Sequence, residues 1–136
     1  MTMILLPLLA LAAAGAPTPN SPPVARISPF GIWQNPHKSI AVRIAPCGQQ
    51  ICGQIVMASD EAQQDARDSG VQQLIGTQLL SDYRQVASRR WDGTVFVPDM
   101  GRHFSSHIVQ LEPNVLRISG CLIGGMLCKS QDWTRR

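Results

Sequence analysis

Beyond residue 30 the chain alternates apolar and polar positions with a period of two rather than 3.6. Ile40, Val42 and Ile44 are interleaved with Ala41, Arg43 and Ala45, the mark of a half-buried strand. Gln50 to Met57, Trp91 to Val97, Arg102 to Leu111, Val115 to Leu122 and Cys128 to Arg135 read the same way. Gly76 to Val86 is taken as a further strand, with Leu79 and Tyr83 among its inward positions. Turn formers separate these runs: Asn35 to Lys38, Pro46 to Gln49, Pro98 to Gly101, Glu112 to Asn114, and Gly124-Gly125. Links this short suit antiparallel neighbours and are too brief for helical crossovers. One stretch departs from the pattern. Ser59 can cap a helix, Asp60 and Glu61 suit its first turn and Gly70 would end it, so Ser59 to Gly70 is one short helix or a polar loop. The pattern therefore predicts an all-β antiparallel meander of seven or eight short strands. Exposed sheet edges invite aggregation, which favours closure into a small β-barrel over a two-sheet sandwich.

The first thirty residues follow other rules. Ile4 to Ala14 is an unbroken apolar run too short to span a bilayer, with small residues after it. It reads as a signal peptide over residues 1–14, cut between 14 and 16, although Met1-Thr2-Met3 supplies no Lys or Arg. Pro7 would disrupt a buried helix here. Pro17, Pro19, Pro22, Pro23 and Pro29 then make residues 15–29 an extended, flexible leader to a single domain at 30–136. No later segment reaches membrane-spanning length, so no span is expected after cleavage, and the protein should be periplasmic or secreted.

Composition sharpens the picture in two places. Only 15% of residues are charged and 44% are hydrophobic, which excludes a wholly disordered chain. Net charge is +3, but the basic residues are scattered and only Arg89-Arg90 and Arg135-Arg136 are adjacent, so no nucleic-acid footprint is expected. Cys47, Cys52, Cys121 and Cys128 allow three pairings, and their spacings favour Cys47–Cys52 and Cys121–Cys128 as disulfides across short turns. A zinc site would ask for shorter intervals than Leu122 to Leu127, and an exported chain meets oxidising conditions. No metal and no cofactor is expected.

Gly31 and Trp33 share one face of the first strand, and Trp133 and Arg135 share one face of the last. If those strands pair, as closure demands, an indole can lie beneath a guanidinium and plug one end of the barrel. Gly31-x-Trp33, Cys47-Gly48, Ile51 to Val56, Leu74-Ile75-Gly76, Trp91-x-Gly93, Val97-Pro98-Asp99, Phe104, Leu116-x-Ile118-x-Gly120-Cys121 and Gln131-x-Trp133-Thr134-Arg135 occur in that order. Together they resemble the bacterial exported family catalogued as domain of unknown function 2147, over residues 30–136. The resemblance implies a lipocalin-like barrel in the cell envelope or secreted, with Trp33 and Arg135 similar to the first-strand Trp and last-strand Arg of lipocalins. Phe104 stands where relatives often carry Tyr, and the loop near Asp65 to Ser69 is shorter than in many. The resemblance implies no chemistry.

The residues themselves offer little catalysis. His103, Ser105 and His107 share a strand face with Asp99 in the turn before, but no nucleophile elbow surrounds Ser105, and histidines four apart in a strand are about 13 Å apart. His37 stands alone in a turn. No catalytic residue is assigned, and the protein is expected not to be an enzyme. The expected function is a non-catalytic module binding a small apolar or amphiphilic ligand, with Tyr83, Trp91, Phe96 and Phe104 as candidate lining residues. The alternative is a structural or protein-interaction module, its barrel filled by its own side chains, meeting an envelope protein through surface loops.

Overall fold

The computed structural model describes residues 27–122 and 126–136; the predicted signal peptide and most of the leader lie outside them. Eight strands, β1 (Gly31–Gln34), β2 (Ile40–Cys47), β3 (Gln50–Ala58), β4 (Gln78–Ala87), β5 (Arg90–Val97), β6 (Arg102–Glu112), β7 (Val115–Leu122) and β8 (Leu127–Arg135), follow one another antiparallel around a closed barrel. Helix α1 (Asp60–Asp68) occupies the β3–β4 connection, so Ser59 to Gly70 is a helix rather than a polar loop.

Alternation sets the inner face. Trp33 stands opposite Val42, Val42 opposite Ile55, Trp91 opposite Ile108, and Leu116 opposite Trp133. These seven side chains are all buried. Removing that much apolar surface from water is the main favourable term for a domain of this size. The middle of the barrel is filled by large side chains lying over glycines of the next strand. A Cβ on Gly53 would come within 2.8 Å of Leu80, and one on Gly93 within 2.6 Å of Tyr83.

Register shifts interrupt the alternation in several ladders, including Ala41/Val42 in β2–β3 and Gln110/Glu112 in β6–β7, and the one in β4 shapes the interior. Asp82 adopts φ 60°, and the β4–β5 register shifts between Ser81 and Arg84. The bulge inserts one residue, so Leu80 and Tyr83, three apart, both reach the interior. Leu79 is buried as well. A non-glycine residue in this backbone region costs on the order of 1 kcal/mol, least for Asn and Asp.

The two ends of the barrel are finished differently. At one, residues 27–30 lie against the β4–β5 and β6–β7 turns; the sequence had put Ile27 to Pro29 in the flexible leader, but main-chain contacts described below hold them. At the other, α1 packs inward. The Ser59 hydroxyl accepts from Ala62 N at 3.1 Å as its N-cap, Ala66 is fully buried, and Val71 N donates to Ala66 O at 2.8 Å, bringing Leu74 into the core.

Candidate functional site

Closure rests on Arg135. Only two residue pairs join β1 to β8, Trp33↔Arg135 and Gln34↔Thr134, whereas eight join β7 to β8. The Arg135 guanidinium carbon lies 4.2 Å from the Trp33 ring centroid. Its nitrogens donate to Phe30 O at 2.7 Å, to Ser28 O and Pro113 O at 2.9 Å each, and to Asn114 Oδ1 at 3.2 Å. The Trp33 indole donates to Pro29 O at 2.8 Å. Gly31 makes room for this cation: its φ is 129°, and a Cβ there would sit 2.7 Å from Arg135 Nη1. Trp133 is buried beside the seal, its indole donating to Gln131 Oε1 at 3.2 Å.

Beside this seal lies a groove of about 260 Å³, half open to solvent. Ile51, Tyr83 and Trp91 line its inner side, and Ile27 to Phe30 line its outer side. Gln49, Gln85 and Ser88 add polar side chains to the lining. The Tyr83 hydroxyl, the Ser106 hydroxyl and Gln110 Oε1 are buried without a hydrogen-bond partner in the protein. Burial pushes the Tyr83 phenol well above its ordinary range, and the neighbouring Ser106 hydroxyl only partly offsets that. Tyr83 is therefore a neutral, buried hydroxyl. Gln110 uses its amide nitrogen on Ser28 O (3.0 Å) and Pro113 O (3.3 Å), stitching the leader to the β6–β7 turn.

With the barrel, its Trp–Arg seal and the groove in view, comparison with known proteins is informative. The family described as "Uncharacterized protein conserved in bacteria (DUF2147)" matches residues 31–135. The chain belongs to this family. Among solved structures, "Protein HP1028 from the human pathogen Helicobacter pylori belongs to the lipocalin family" is similar, with a TM-score of 0.65 and 17% identity over 82% of this chain and 84% of that one. Identity that low speaks to the fold alone, and the fold is lipocalin-like. No curated protein matches the chain.

The four aromatic residues singled out from the sequence of this DUF2147 chain part company in the barrel. Tyr83 and Trp91 meet at the groove. Phe96 lies on the opposite face of β5 from Trp91, its ring centroid 4.8 Å from that of His103. Phe104 shares the inner face of β6 with Ser106, but toward the α1 end, half-buried with the Arg102 guanidinium 5.6 Å from its ring. Period-two reasoning could not tell inside from outside for Phe96, because Asp92, Thr94 and Phe96 alternate as regularly as Trp91, Gly93 and Val95. Missed altogether as lining were Ile51, which the sequence presents as an ordinary strand apolar, Phe30 at the start of the domain, and Ile27 to Pro29 in the leader.

Cys47–Cys52 and Cys121–Cys128 are disulfide-bonded, with Cα separations of 5.7 and 4.0 Å, and no cysteine among the described residues is free. Disulfides point to an oxidising compartment. No described helix is long and apolar enough to cross a membrane.

The histidines fall on the outer face. His107 Nδ1 sits 2.9 Å from Asp92 Oδ1, and Arg90 Nε donates to the same oxygen at 3.0 Å. Burial raises the Asp92 carboxyl, but hydrogen bonds and charge from His107 and Arg90 together outweigh it and hold the group below the usual carboxylate range. His103 and Ser105 are exposed, and Asp99 lies in the β5–β6 turn, where its carbonyl accepts from the Ser69 hydroxyl. His37 lines a second, shallower cleft of about 500 Å³ with Pro36, Arg117, Ser130, Gln131 and Asp132, between the β1–β2 turn and β8. Among the described residues no three His, Cys, Asp or Glu side chains gather as metal ligands.

Proposed function

We propose that this protein is an exported envelope protein, periplasmic or secreted, that binds a small amphiphilic ligand without transforming it. The groove beside the Trp33–Arg135 seal is the binding site. The observation that carries this reading is a buried phenol with no polar neighbour but the Ser106 hydroxyl, and no hydrogen bond of ordinary geometry to it, on a residue that lines the groove with Ile51 and Trp91. An unpaired buried hydroxyl costs on the order of 1–3 kcal/mol, and a ligand that supplies an acceptor or donor there recovers part of it. The groove lies just under the roughly 300 Å³ lower bound of drug-sized sites, so it suits a small molecule or one end of a longer one.

Native mass spectrometry of protein purified gently from the producing cell tests this, together with displacement of an environment-sensitive dye. Retained ligand mass that is lost in Tyr83→Phe supports the assignment. The same substitution should leave stability unchanged or raise it by about 1 kcal/mol, because it deletes an unsatisfied group. A clean apo mass with no dye displacement would sink the proposal.

The second reading, a protein-interaction module, draws on the packed midsection, where Leu80 and Tyr83 fill the space left by Gly53 and Gly93. It relocates the working surface to exposed side chains of α1, such as Glu61, Gln64 and Asp68. Charge reversal there that releases a co-purifying envelope protein, with thermal stability intact, would favour it.

A further inference from the structure

Among the strands of the described residues, the eighth is laddered to a neighbour along one side only over Lys129 to Asp132. Its ladder to β7 runs from Leu127 to Thr134, but its contact with β1 stops at Thr134, so residues 127–132 extend past the β1–β2 turn beside the open cleft. Which main-chain groups face that gap follows from two hydrogen bonds. Arg136 N donates to Ile32 O on the β1 side, and Arg135 N donates to Asn114 O on the β7 side. Strand residues alternate in this respect. Odd-numbered residues of β8 therefore bond to β7, and Ser130 and Asp132 aim both N–H and C=O at the gap. Residues 127–132 are exposed on both faces of the sheet.

We propose that this edge pairs with the same edge of a second copy, β8 against β8 antiparallel about a two-fold axis at Ser130, joining two barrels into one sheet. Geometry selects that register. With Ser130 opposite Ser130, the two exchange N–H···O=C bonds, Lys129 stands opposite Gln131, and each β8 begins opposite Trp133 of the other copy. It thus stops just short of Thr134, whose free side is already taken by Gln34. Sliding by two residues one way sets Lys129 directly against Lys129, a like-charge pair. Sliding two the other way drives residue 128 into Gln34 of the other copy. One register therefore satisfies both charge and space. An isologous contact of this kind closes on itself instead of growing into a fibre. It is small, so the dimer should be weak and concentration-dependent.

Sedimentation velocity on the purified protein, from micromolar to near-millimolar concentration, is the direct test. Expected are a reversible monomer–dimer equilibrium and, at the high end, slowed amide exchange at Ser130 and Asp132. Ser130→Pro removes an edge-facing N–H without touching the β7 ladder and should raise the dimer dissociation constant by at least roughly tenfold. Ser130→Asp, which sets two carboxylates face to face, should do the same while leaving the backbone donor in place. Ser119→Ala is the control. It deletes the 2.7 Å hydroxyl contact between Ser119 and Ser130, and should leave the dimer intact. A protein that stays monomeric throughout overturns the proposal, even if an added extended peptide then protects the same amides. So does a dimer that survives both Ser130 variants.

Discussion

The two ends of this barrel solve one problem with different chemistry. At the leader end, a single cation gathers carbonyls from distant parts of the chain: Arg135 binds Ser28, Phe30 and Pro113 at once, over an indole. At the α1 end, a capped helix and the segment after it, neighbours in sequence, fold inward as an apolar stopper through Ala66, Val71 and Leu74. A polar seal is directional and fails together, because one cation ties several segments and all of those ties are lost at once. An apolar stopper is non-directional and fails in proportion to the volume removed. The groove lies at the polar end, where the wall is held by few contacts of high individual worth.

Four substitutions test that contrast. Arg135→Ala has the largest expected effect, about 3–4 kcal/mol, since it removes the cation–π contact and strands several carbonyls. Chemical denaturation should show the whole barrel losing stability, with Trp fluorescence reporting the change at Trp33. Leu74→Ala should cost about 3 kcal/mol for the cavity it leaves. Here hydrogen exchange should reveal opening confined to α1 and the segment before β4. An equal loss of protection across β1 and β8 would erase the distinction between the ends. Ser59→Ala removes the helix N-cap and should cost about 1 kcal/mol, again local to α1. Smallest of all is Arg117→Ala, on the outer wall and part of neither device. Hydrogen bonds from Arg117 hold the Asp132 carboxyl below its usual range. A carboxyl whose pKa is lowered by folding adds stability above the ordinary carboxylate range, and that contribution is lost as pH falls through the lowered value. Exposure keeps it slight. The measurable outcome is an Asp132 titration returning to the normal range by NMR, with stability at neutral pH nearly unchanged.

The same contrast separates what the amino acids announced from what they concealed. The polar seal is legible because it needs unusual residues in fixed places: Gly31 and Trp33 near one terminus of the domain and Arg135 near the other have few alternative uses. Strand order and the disulfides follow from alternation, turn residues and short cysteine spacings. The α1 end hides better. Ala66 and Leu74 are common residues in a polar stretch, and their burial depends on where the helix lands, which no local pattern encodes. The groove is half hidden for a related reason. Tyr83 is expected at the lining, but the one-residue bulge at Asp82, which turns Leu80 inward as well, breaks the period of two without any glycine or proline to warn of it. Proline content places Ile27 to Pro29 in a loose leader, yet proline removes a donor, not an acceptor. Carbonyls at Ser28, Pro29 and Phe30 are what the seal uses.

Every strand pairing but one joins consecutive hairpins. The meander can assemble step by step from nearby partners, each at modest loop-closure cost. The β1–β8 join alone must wait for both ends of the domain to be delivered. Until then the ring is an open ribbon with two bare flanks, the period of greatest exposure to misassembly. How quickly Arg135 finds Trp33 therefore sets how long that exposure lasts, and stopped-flow quenching of the indole would time it.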